Sequence, residues 1–197
     1  MQSAFLAGKK TYLRGLQAKD LEDYLIDWYN DREVTRYLFR GTYPGTPERL
    51  QLEYQANCAS TRDIELLLLE RKDDIALGVA GLYGINPVAH SAELRMLIGE
   101  KSYWGKGYAT EATQLLLAYA FEVLNLHKVY LGVNAAQGNA VRVYEKAGFV
   151  REGRLRDEIY RNGRYYDAIR MSILKLEYQQ EKYKWDIADE ISRQFPA

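Results

Sequence analysis

The sequence is poor in the residues that build metal sites, disulfides and nucleophilic dyads. It contains one cysteine, Cys58, and two isolated histidines, His90 and His127. A single cysteine allows neither an internal disulfide nor an all-cysteine zinc site, and a lone cysteine is usually a small packing residue. Isolated histidines form no ligand cluster. We therefore expect no bound metal and no cysteine nucleophile.

An excess of one charge and long apolar runs are lacking as well. Lys and Arg number 27, Asp and Glu also number 27, and the two signs are interspersed, so no basic surface for nucleic acid is expected. The apolar runs at residues 66–69 and 115–121 are too short to span a bilayer, and the first ten residues lack the apolar region of a signal peptide. We expect a single-domain cytoplasmic protein without a nucleic-acid or membrane partner.

A strand, a glycine loop and a helix follow one another between residues 93 and 125. Residues 93–99 form a short apolar run bounded by turn residues, which favours a strand. Residues 103–109 read YWGKGYA, and Asn125 is a plausible helix end. Beyond the loop, apolar residues at three- and four-residue steps mark one face of a helix: Ala112, Leu115, Leu116, Tyr119, Ala120 and Val123.

Such a loop favours an anion, most often a phosphate. Glycines let the backbone approach a ligand, and the free N–H groups of the first helical turn point at it. An ATP- or GTP-binding loop fits poorly, because Lys106 is followed by Gly107 rather than by Ser or Thr. A dinucleotide site also fits poorly, because Thr110 replaces the third glycine and residues 128–134, the next strand, end on Asn134 instead of a carboxylate. The remaining option is the pyrophosphate of coenzyme A.

At this loop the sequence resembles the GNAT superfamily of acetyl-CoA-dependent N-acetyltransferases, whose loop is written Q/R-x-x-G-x-G/A. Gly107 and Ala109 match its last two fixed positions, whereas Trp104 stands where Gln or Arg is commonest. The segment YWGKGYATEA resembles the corresponding segment in the branch that includes ribosomal-protein N-terminal acetyltransferases and spermidine acetyltransferases. The resemblance implies that the loop binds the pyrophosphate of acetyl-CoA through Trp104, Gly105, Lys106, Gly107, Tyr108, Ala109 and Thr110.

A second motif lies at residues 134–149, NAAQGNAVRVYEKAGF. It resembles the superfamily pattern N-x-x-[N/S]-x-x-A-x-x-x-Y-x-x-x-G-F. The resemblance implies that Asn134 and Asn139 contact the cofactor, with Asn139 on its pantetheine arm, and that Tyr144 protonates the departing thiolate. A phenol is a reasonable acid for a thiolate leaving group. Core packing is the ordinary role of a tyrosine on an apolar helix face.

Further roles follow from the same resemblance. Backbone groups of Met96, Leu97 and Ile98 are expected to pair with the pantetheine and to meet the carbonyl oxygen, which requires this strand to part from its neighbour. Glu93 could accept a proton from the amine, directly or through water. The alternative for Glu93 is a solvated carboxylate paired with a nearby arginine.

The chain is thus predicted to be an enzyme that moves the acetyl group of acetyl-CoA directly to a primary amine. The acceptor is a peptide N-terminus or a small molecule. A polyamine is a minor option, because residues 38–45, LFRGTYPG, carry Arg40 instead of a carboxylate cluster. A non-catalytic acyl-CoA-binding module is the alternative function. A homodimer is possible.

The fold implied is a single α/β (α+β) domain, with a mixed, mostly antiparallel sheet flanked by helices. We predict strands at 11–16, 64–70, 75–85, 92–99, 128–134, 149–161 and 164–176, and helices from residue 20 to about 31, at 33–39, 47–59, 110–125 and 139–147. Asn162-Gly163 predicts a tight hairpin turn. The catalytic domain is assigned to residues 1–176 and a weakly helical tail to 177–197.

Overall fold

A computed structural model describes residues 3–196 and contains an eight-stranded sheet. The strands are β1 (Leu6–Ala7), β2 (Thr11–Gly15), β3 (Ile64–Glu70), β4 (Ala76–Asn86), β5 (Ser91–Ile98), β6 (Lys128–Asn134), β7 (Val150–Arg161) and β8 (Arg164–Leu174). Their order is β1-β2-β3-β4-β5-β6-β8-β7. All neighbours are antiparallel except β5 and β6, which are parallel. The predicted mixed, mostly antiparallel sheet flanked by helices is confirmed.

Helices cover both faces of this sheet. They are α1 (Ala18–Asp20), which continues through a π-helical turn (Leu21–Leu25) into α2 (Ile26–Asn30), then α3 (Pro47–Ala59), α4 (Tyr108–Ala118), α5 (Gly138–Lys146), α6 (Lys175–Glu181) and α7 (Ala188–Gln194). Short 3₁₀ turns precede α4 and α7.

Strand β3 shows why both faces must be covered. Its sequence IELLLLE has no polar residue between its two glutamates. Leu66 and Leu68 belong to the core that contains the α4 side chains, whereas Leu67 and Leu69 belong to the core that contains the α1–α3 side chains. Because successive side chains of a strand point to opposite faces, each face of the sheet has its own core.

The predicted hairpins are present. Strands β3, β4 and β5 are adjacent and antiparallel, and β7 and β8 pair through the turn at Asn162 and Gly163. Both turn residues have positive φ, 49° and 80°. This is the conformation that an Asn-Gly turn supplies and that matches the twist of the two strands.

The helix predicted at residues 33–39 is wrong. These residues form hydrogen-bonded turns. The Asp31 carboxylate accepts from the backbone N–H groups of Glu33 and Val34, and the Thr35 hydroxyl donates to the Asp31 carbonyl oxygen. Short polar side chains that bond the nearby backbone compete with a helical ladder, and this competition is not visible in apolar spacing.

The last helices pack against the main core. Tyr178 and Ile187 are almost fully buried in the same core as α4, and the Tyr178 ring stacks on Phe121 at 4.8 Å between centroids. The Gln194 side-chain amide exchanges two hydrogen bonds with the backbone of Ala7 at the edge of the sheet. The division into residues 1–176 and 177–197 stays a prediction.

Candidate active site

Strands β5 and β6 part after three pairs of residues. They pair at Ser91–Lys128, Ala92–Val129 and Glu93–Tyr130, although β5 continues to Ile98 and β6 to Asn134. Beyond Glu93 the facing edges of the two strands have no ladder between them. Such edges carry free N–H and C=O groups, and a cavity of 770 Å³ opens there.

The predicted backbone site lies along this opening. Met96 and Leu97 line the cavity. The Ile98 carbonyl oxygen already accepts one hydrogen bond, from the Trp104 indole N–H at 2.9 Å. Trp104 therefore ties the glycine loop to the end of β5.

Asn134 presents a buried donor with no partner. The residue is 2% exposed. Its Oδ1 accepts from the Ala136 N–H at 2.9 Å, while its Nδ2 has no hydrogen bond within residues 3–196. Leaving a buried donor unpaired costs about 1–3 kcal/mol. The group lines the cavity and is placed to bond a ligand carbonyl.

Tyr144 reaches the same cavity from α5. Val141 and Ala147 anchor this helix in the core, and Gly148 ends it with φ 93°. The Tyr144 ring packs edge-on against Phe149 at 5.7 Å between centroids. Burial raises the pKa of Tyr144 to about 12, so the phenol keeps its proton at neutral pH.

Asn139 does not join this group. It is exposed in the first turn of α5 and does not line the cavity, whereas Gln137 and Ala140 do. The role assigned to Asn139 stays a prediction.

Helix α4 begins directly at the glycine loop. Gly107 is its N-cap with φ 89°, and Gly105 has φ 74°. The first helical N–H that finds a carbonyl is that of Glu111, which donates to the Gly107 oxygen at 3.1 Å. The first N–H groups of an α-helix have no partner within the helix, and the helix dipole places partial positive charge at this end. The N–H groups of Tyr108, Ala109 and Thr110 are therefore available to bond an anion, and we call residues 105–110 the anion cradle.

The N-terminal strands hold this cradle in place. Glu111 is buried, and its Oε1 accepts from the Lys10 N–H, the Thr11 N–H and the Thr11 hydroxyl at 2.8, 2.8 and 2.9 Å. A Cβ at Gly8 would come within 2.2 Å of the same oxygen, so this turn needs glycine.

Lys10 is a candidate site residue that sequence reasoning missed. Its Nζ lies 3.7 Å from the position of a Cβ on Gly107, and Lys106 adds a second cation with its Nζ 5.2 Å from the Tyr103 ring centre. No local signal connects Lys10 with a loop about one hundred residues later. Only the Glu111 contacts bring them together.

Comparisons with known proteins agree with this geometry. A family model described as an acetyltransferase (GNAT) domain matches residues 10–150. The chain belongs to the GNAT acetyltransferases. It is therefore an enzyme that transfers the acetyl group of acetyl-CoA to an amine, as predicted, and the alternative of a non-catalytic acyl-CoA-binding module is not supported.

Several relatives of this acetyltransferase are similar over most of their length. Spermidine N(1)-acetyltransferase of Vibrio cholerae is 34% identical over 84% of this chain and 94% of the relative. Its counterpart in Escherichia coli is 36% identical over 86% and 88%. The putative ribosomal N-acetyltransferase YdaF of Bacillus subtilis is 31% identical over 86% and 94%.

The fold of the acetyltransferase also matches solved structures. The crystal structure of the Vibrio cholerae spermidine N-acetyltransferase in complex with CoA and spermine superposes with a TM-score of 0.80 at 33% identity, covering 86% of this chain and 98% of the other. Within residues 3–196, no group of three or more His, Cys, Asp or Glu side chains could hold a metal. No helix in that part of the chain is long and apolar enough to cross a membrane.

Glu93 of the acetyltransferase lies at the point where β5 and β6 part, and it lines the cavity. Its Oε2 accepts from Arg95 Nη2 at 2.6 Å and from Arg95 Nε at 3.0 Å. Glu93 is thus paired with an arginine, which was the alternative to its role as a proton acceptor. Glu93 Oε1 has no hydrogen bond within the described residues and stays able to accept a proton.

Residues from distant segments complete the cavity wall on the side of α1–α3. Arg40 was considered in the sequence analysis for its charge, and the other six were not predicted: Tyr29, Tyr37, Glu65, Tyr83, Glu158 and Arg161. The most useful signal was Glu65, an acid inside an otherwise apolar strand. The others have no local signal, because loops and the β7–β8 hairpin bring them together.

Arg161 connects that hairpin to the loop after α2. Its Nη1 donates to Thr42 Oγ1 at 2.7 Å, and its Nη2 donates to the carbonyl oxygens of Thr35 and Arg40. Burial lowers the pKa of Arg161. The tip of the hairpin therefore contacts the loop after α2 and lines the cavity.

Proposed function

We propose that this acetyltransferase acts on small-molecule amines, with diamines and polyamines as the acceptor class. The observation that carries the proposal is the divergence of β5 and β6 into a cavity that contains both the Asn134 donor and the Tyr144 phenol. The acceptor class is supported by the spermidine acetyltransferases among the relatives. A cytoplasmic location and a homodimer stay predictions.

The sequence argument against a polyamine rested on Arg40, and the structure weakens it. Arg40 Nη1 forms an ion pair with Glu53, and the guanidinium lies 4.5 Å from the centre of the Tyr29 ring. Glu53 also pairs with Arg49 at 3.1 Å. One carboxylate shared by two arginines leaves a net positive charge, so the ion pair reduces the repulsion between Arg40 and a cationic acceptor without removing it.

The cofactor side is assigned to the glycine loop and the opening between strands. Acetyl-CoA supplies an activated thioester, so no protein nucleophile is needed. The free N–H groups at the start of α4, with Lys106 and Lys10, bind the pyrophosphate. Asn134 Nδ2 and the free edge of β5 at Met96 and Leu97 hold the pantetheine arm in the opening.

Two side chains move protons. Glu93 Oε1 accepts the proton that the acceptor ammonium must lose before its nitrogen can attack, directly or through water. The Tyr144 hydroxyl donates a proton to the departing sulfur. The raised pKa of Tyr144 ensures that this proton is present across the physiological range. Residues on β5, β6 and α5 therefore hold the reacting groups close together, which lowers the entropic part of the barrier.

The test is release of coenzyme A from acetyl-CoA with a panel of polyamines, monoamines, amino sugars and peptides that have free N-termini. We expect the amines with two or more ammonium groups to give the highest kcat/KM. Peptides as the best acceptors would overturn the proposed acceptor class. In the same panel, Glu93→Gln should lower turnover most at low pH, where the amine is fully protonated, and an unchanged pH–rate profile would remove Glu93 from the mechanism.

A further inference from the structure

One carboxylate of the cavity is held by neutral donors. Glu65 Oε1 accepts from the Tyr83 hydroxyl at 2.7 Å, and Glu65 Oε2 accepts from Asn57 Nδ2 at 2.7 Å. Within the described part of the chain Glu65 makes no ion pair, whereas Glu93 in the same cavity is paired with Arg95. A carboxylate accepts about four hydrogen bonds. The half-buried charge of Glu65 is thus oriented by neutral donors and has no direct ion pair, although Arg40 of the same cavity interacts with it at longer range.

The sheet register fixes where Glu65 lies relative to the reacting centre. Glu65 on β3 pairs with Gly81 on β4, and Gly81 pairs with Arg95 on β5. Residues in one such row point to the same face. Neighbouring strands lie about 4.8 Å apart, so Glu65 stands about 10 Å across the sheet from β5 and its opening.

The position on β4 between Glu65 and β5 carries no side chain. Gly81 occupies the middle of the row, and a Cβ there would come within 2.0 Å of the Ile64 carbonyl oxygen. Because a backbone atom cannot move aside cheaply, this position admits only glycine. The β4 part of the row therefore has no side chain between Arg95 on β5 and the Glu65 carboxylate, and the Arg95 guanidinium lies over the Tyr83 ring at 4.8 Å.

We propose that Glu65 binds the distal ammonium of an acceptor whose other amine is acetylated at the β5–β6 opening. This inference rests on the proposed function and makes Glu65 a specificity-determining residue. An extended chain advances about 1.2 Å per bond, so a span of about 10 Å corresponds to roughly eight bonds between the two nitrogens. Monoamines of equal length lack the second charge and lose the contact.

The experiment compares diaminopropane, diaminooctane and diaminododecane with octylamine, using the full chain and acetyl-CoA. In the wild type, kcat/KM for diaminooctane should exceed that for octylamine by about tenfold or more, as expected for a charge-assisted hydrogen bond. It should also exceed kcat/KM for the shorter and the longer diamine. Glu65→Gln should bring the ratio of diaminooctane to octylamine close to one, with octylamine turnover and acetyl-CoA affinity retained.

The matched control is Glu48→Gln, which removes the same charge from an exposed position on α3 and should leave the ratio unchanged. Glu65→Asp keeps the charge but moves it back by one methylene, so this variant should prefer a longer diamine. The preference can be measured even if Glu65→Gln fails to fold. An unchanged ratio in Glu65→Gln overturns the inference alone. Equal use of all amines by the wild type overturns both the inference and the proposed diamine and polyamine acceptor class. Absence of turnover with every amine overturns the proposed function, and the inference with it.

Discussion

At the scale of single residues, two polar groups distinguish the cavity from an ordinary gap between strands. Asn134 Nδ2 is buried without a partner, and the Tyr144 hydroxyl makes no hydrogen bond within residues 3–196. Both residues were named from the sequence through the resemblance of residues 134–149 to the superfamily motif. That both donors face the same cavity depends on the fold.

Replacing Tyr144 by Phe removes the proposed acid and keeps the ring that packs on Phe149. Turnover should fall by at least about a hundredfold, the lower end of the contribution of general acids and bases. Acetyl-CoA affinity should stay nearly constant, since the phenol acts on the leaving group. Steady-state rates of coenzyme A release and calorimetric titration with acetyl-CoA measure the two effects. Full turnover in Tyr144→Phe contradicts the assignment.

Asn134→Asp separates the two functions of that side chain. The carboxylate can still accept from the Ala136 N–H, but it cannot donate as Nδ2 does. The loss of one hydrogen bond, with a negative charge added, should weaken acetyl-CoA binding by about tenfold or more. Calorimetry gives the dissociation constant, and thermal unfolding without ligand serves as the control for folding. Equal affinity in wild type and variant would show that Nδ2 does not contact the cofactor.

At the scale of elements, the site depends on one parallel strand pair and one helix N-terminus. Helix α4 was predicted at residues 110–125 and is found from Tyr108, with a π-helical turn (Tyr119–Val123) at its end. The three- and four-residue spacing of apolar residues in α4 and the glycines before it are local features of the sequence, so this helix was predictable. The anchoring of α4 through Glu111 to Thr11 was not predictable, because the two residues are 100 positions apart in the chain and meet only in the folded protein.

Gly107→Ala tests the conformation of the anion cradle. Gly107 has φ 89°, and placing a side chain in left-handed backbone costs about 1–2 kcal/mol. We expect lower stability and weaker acetyl-CoA binding, because relaxing that strain turns the first N–H groups of α4 away from the ligand. Gly153→Ala is the control, since Gly153 lies in open space on β7 without positive φ. Urea unfolding and calorimetry apply to both variants, and equal behaviour would reject the cradle.

At the scale of the whole molecule, the C-terminal helices contribute to the main core. Trp185 is 6% exposed and packs edge-on against Tyr178 at 5.6 Å between centroids. Trp185→Ala should destabilise the protein by about 3–5 kcal/mol, as other large-to-small core substitutions do. Tyr183, two residues earlier, is 74% exposed, and Tyr183→Ala should change stability by less than about 0.5 kcal/mol. Urea unfolding of both variants measures the difference, and similar values would mean that the tail folds apart from the core.

The buried tyrosines make the fold sensitive to alkali. Burial, followed by the hydrogen bond to Asp74, raises the pKa of Tyr12 to about 12, and burial raises the pKa of Tyr144 to about 12. The unfolded chain releases these protons near pH 10 and the folded chain near pH 12. Their contribution to stability is therefore complete below pH 10 and is lost as the pH rises toward 12.

We expect the free energy of unfolding to begin falling near pH 10, by about 1.4 kcal/mol per pH unit for each such tyrosine. Urea unfolding at a series of alkaline pH values gives the slope. Tyr12→Phe keeps the ring and removes one ionising group, so its slope should be shallower than that of the wild type. Identical slopes would assign the alkaline loss to other groups.

The sequence by itself determined most of the strands and helices, though not β1 or the turns at residues 33–39. It also determined where the Asn162-Gly163 hairpin turns and that a glycine loop precedes a helix. These depend on backbone preferences and side-chain periods within a few residues. Only the tertiary structure decided where β5 parts from β6, that Glu111 holds the cradle through Thr11, and that neutral donors orient Glu65 across the sheet from the reacting centre. Each of these requires strand order and register, which arise from contacts between residues far apart in the chain.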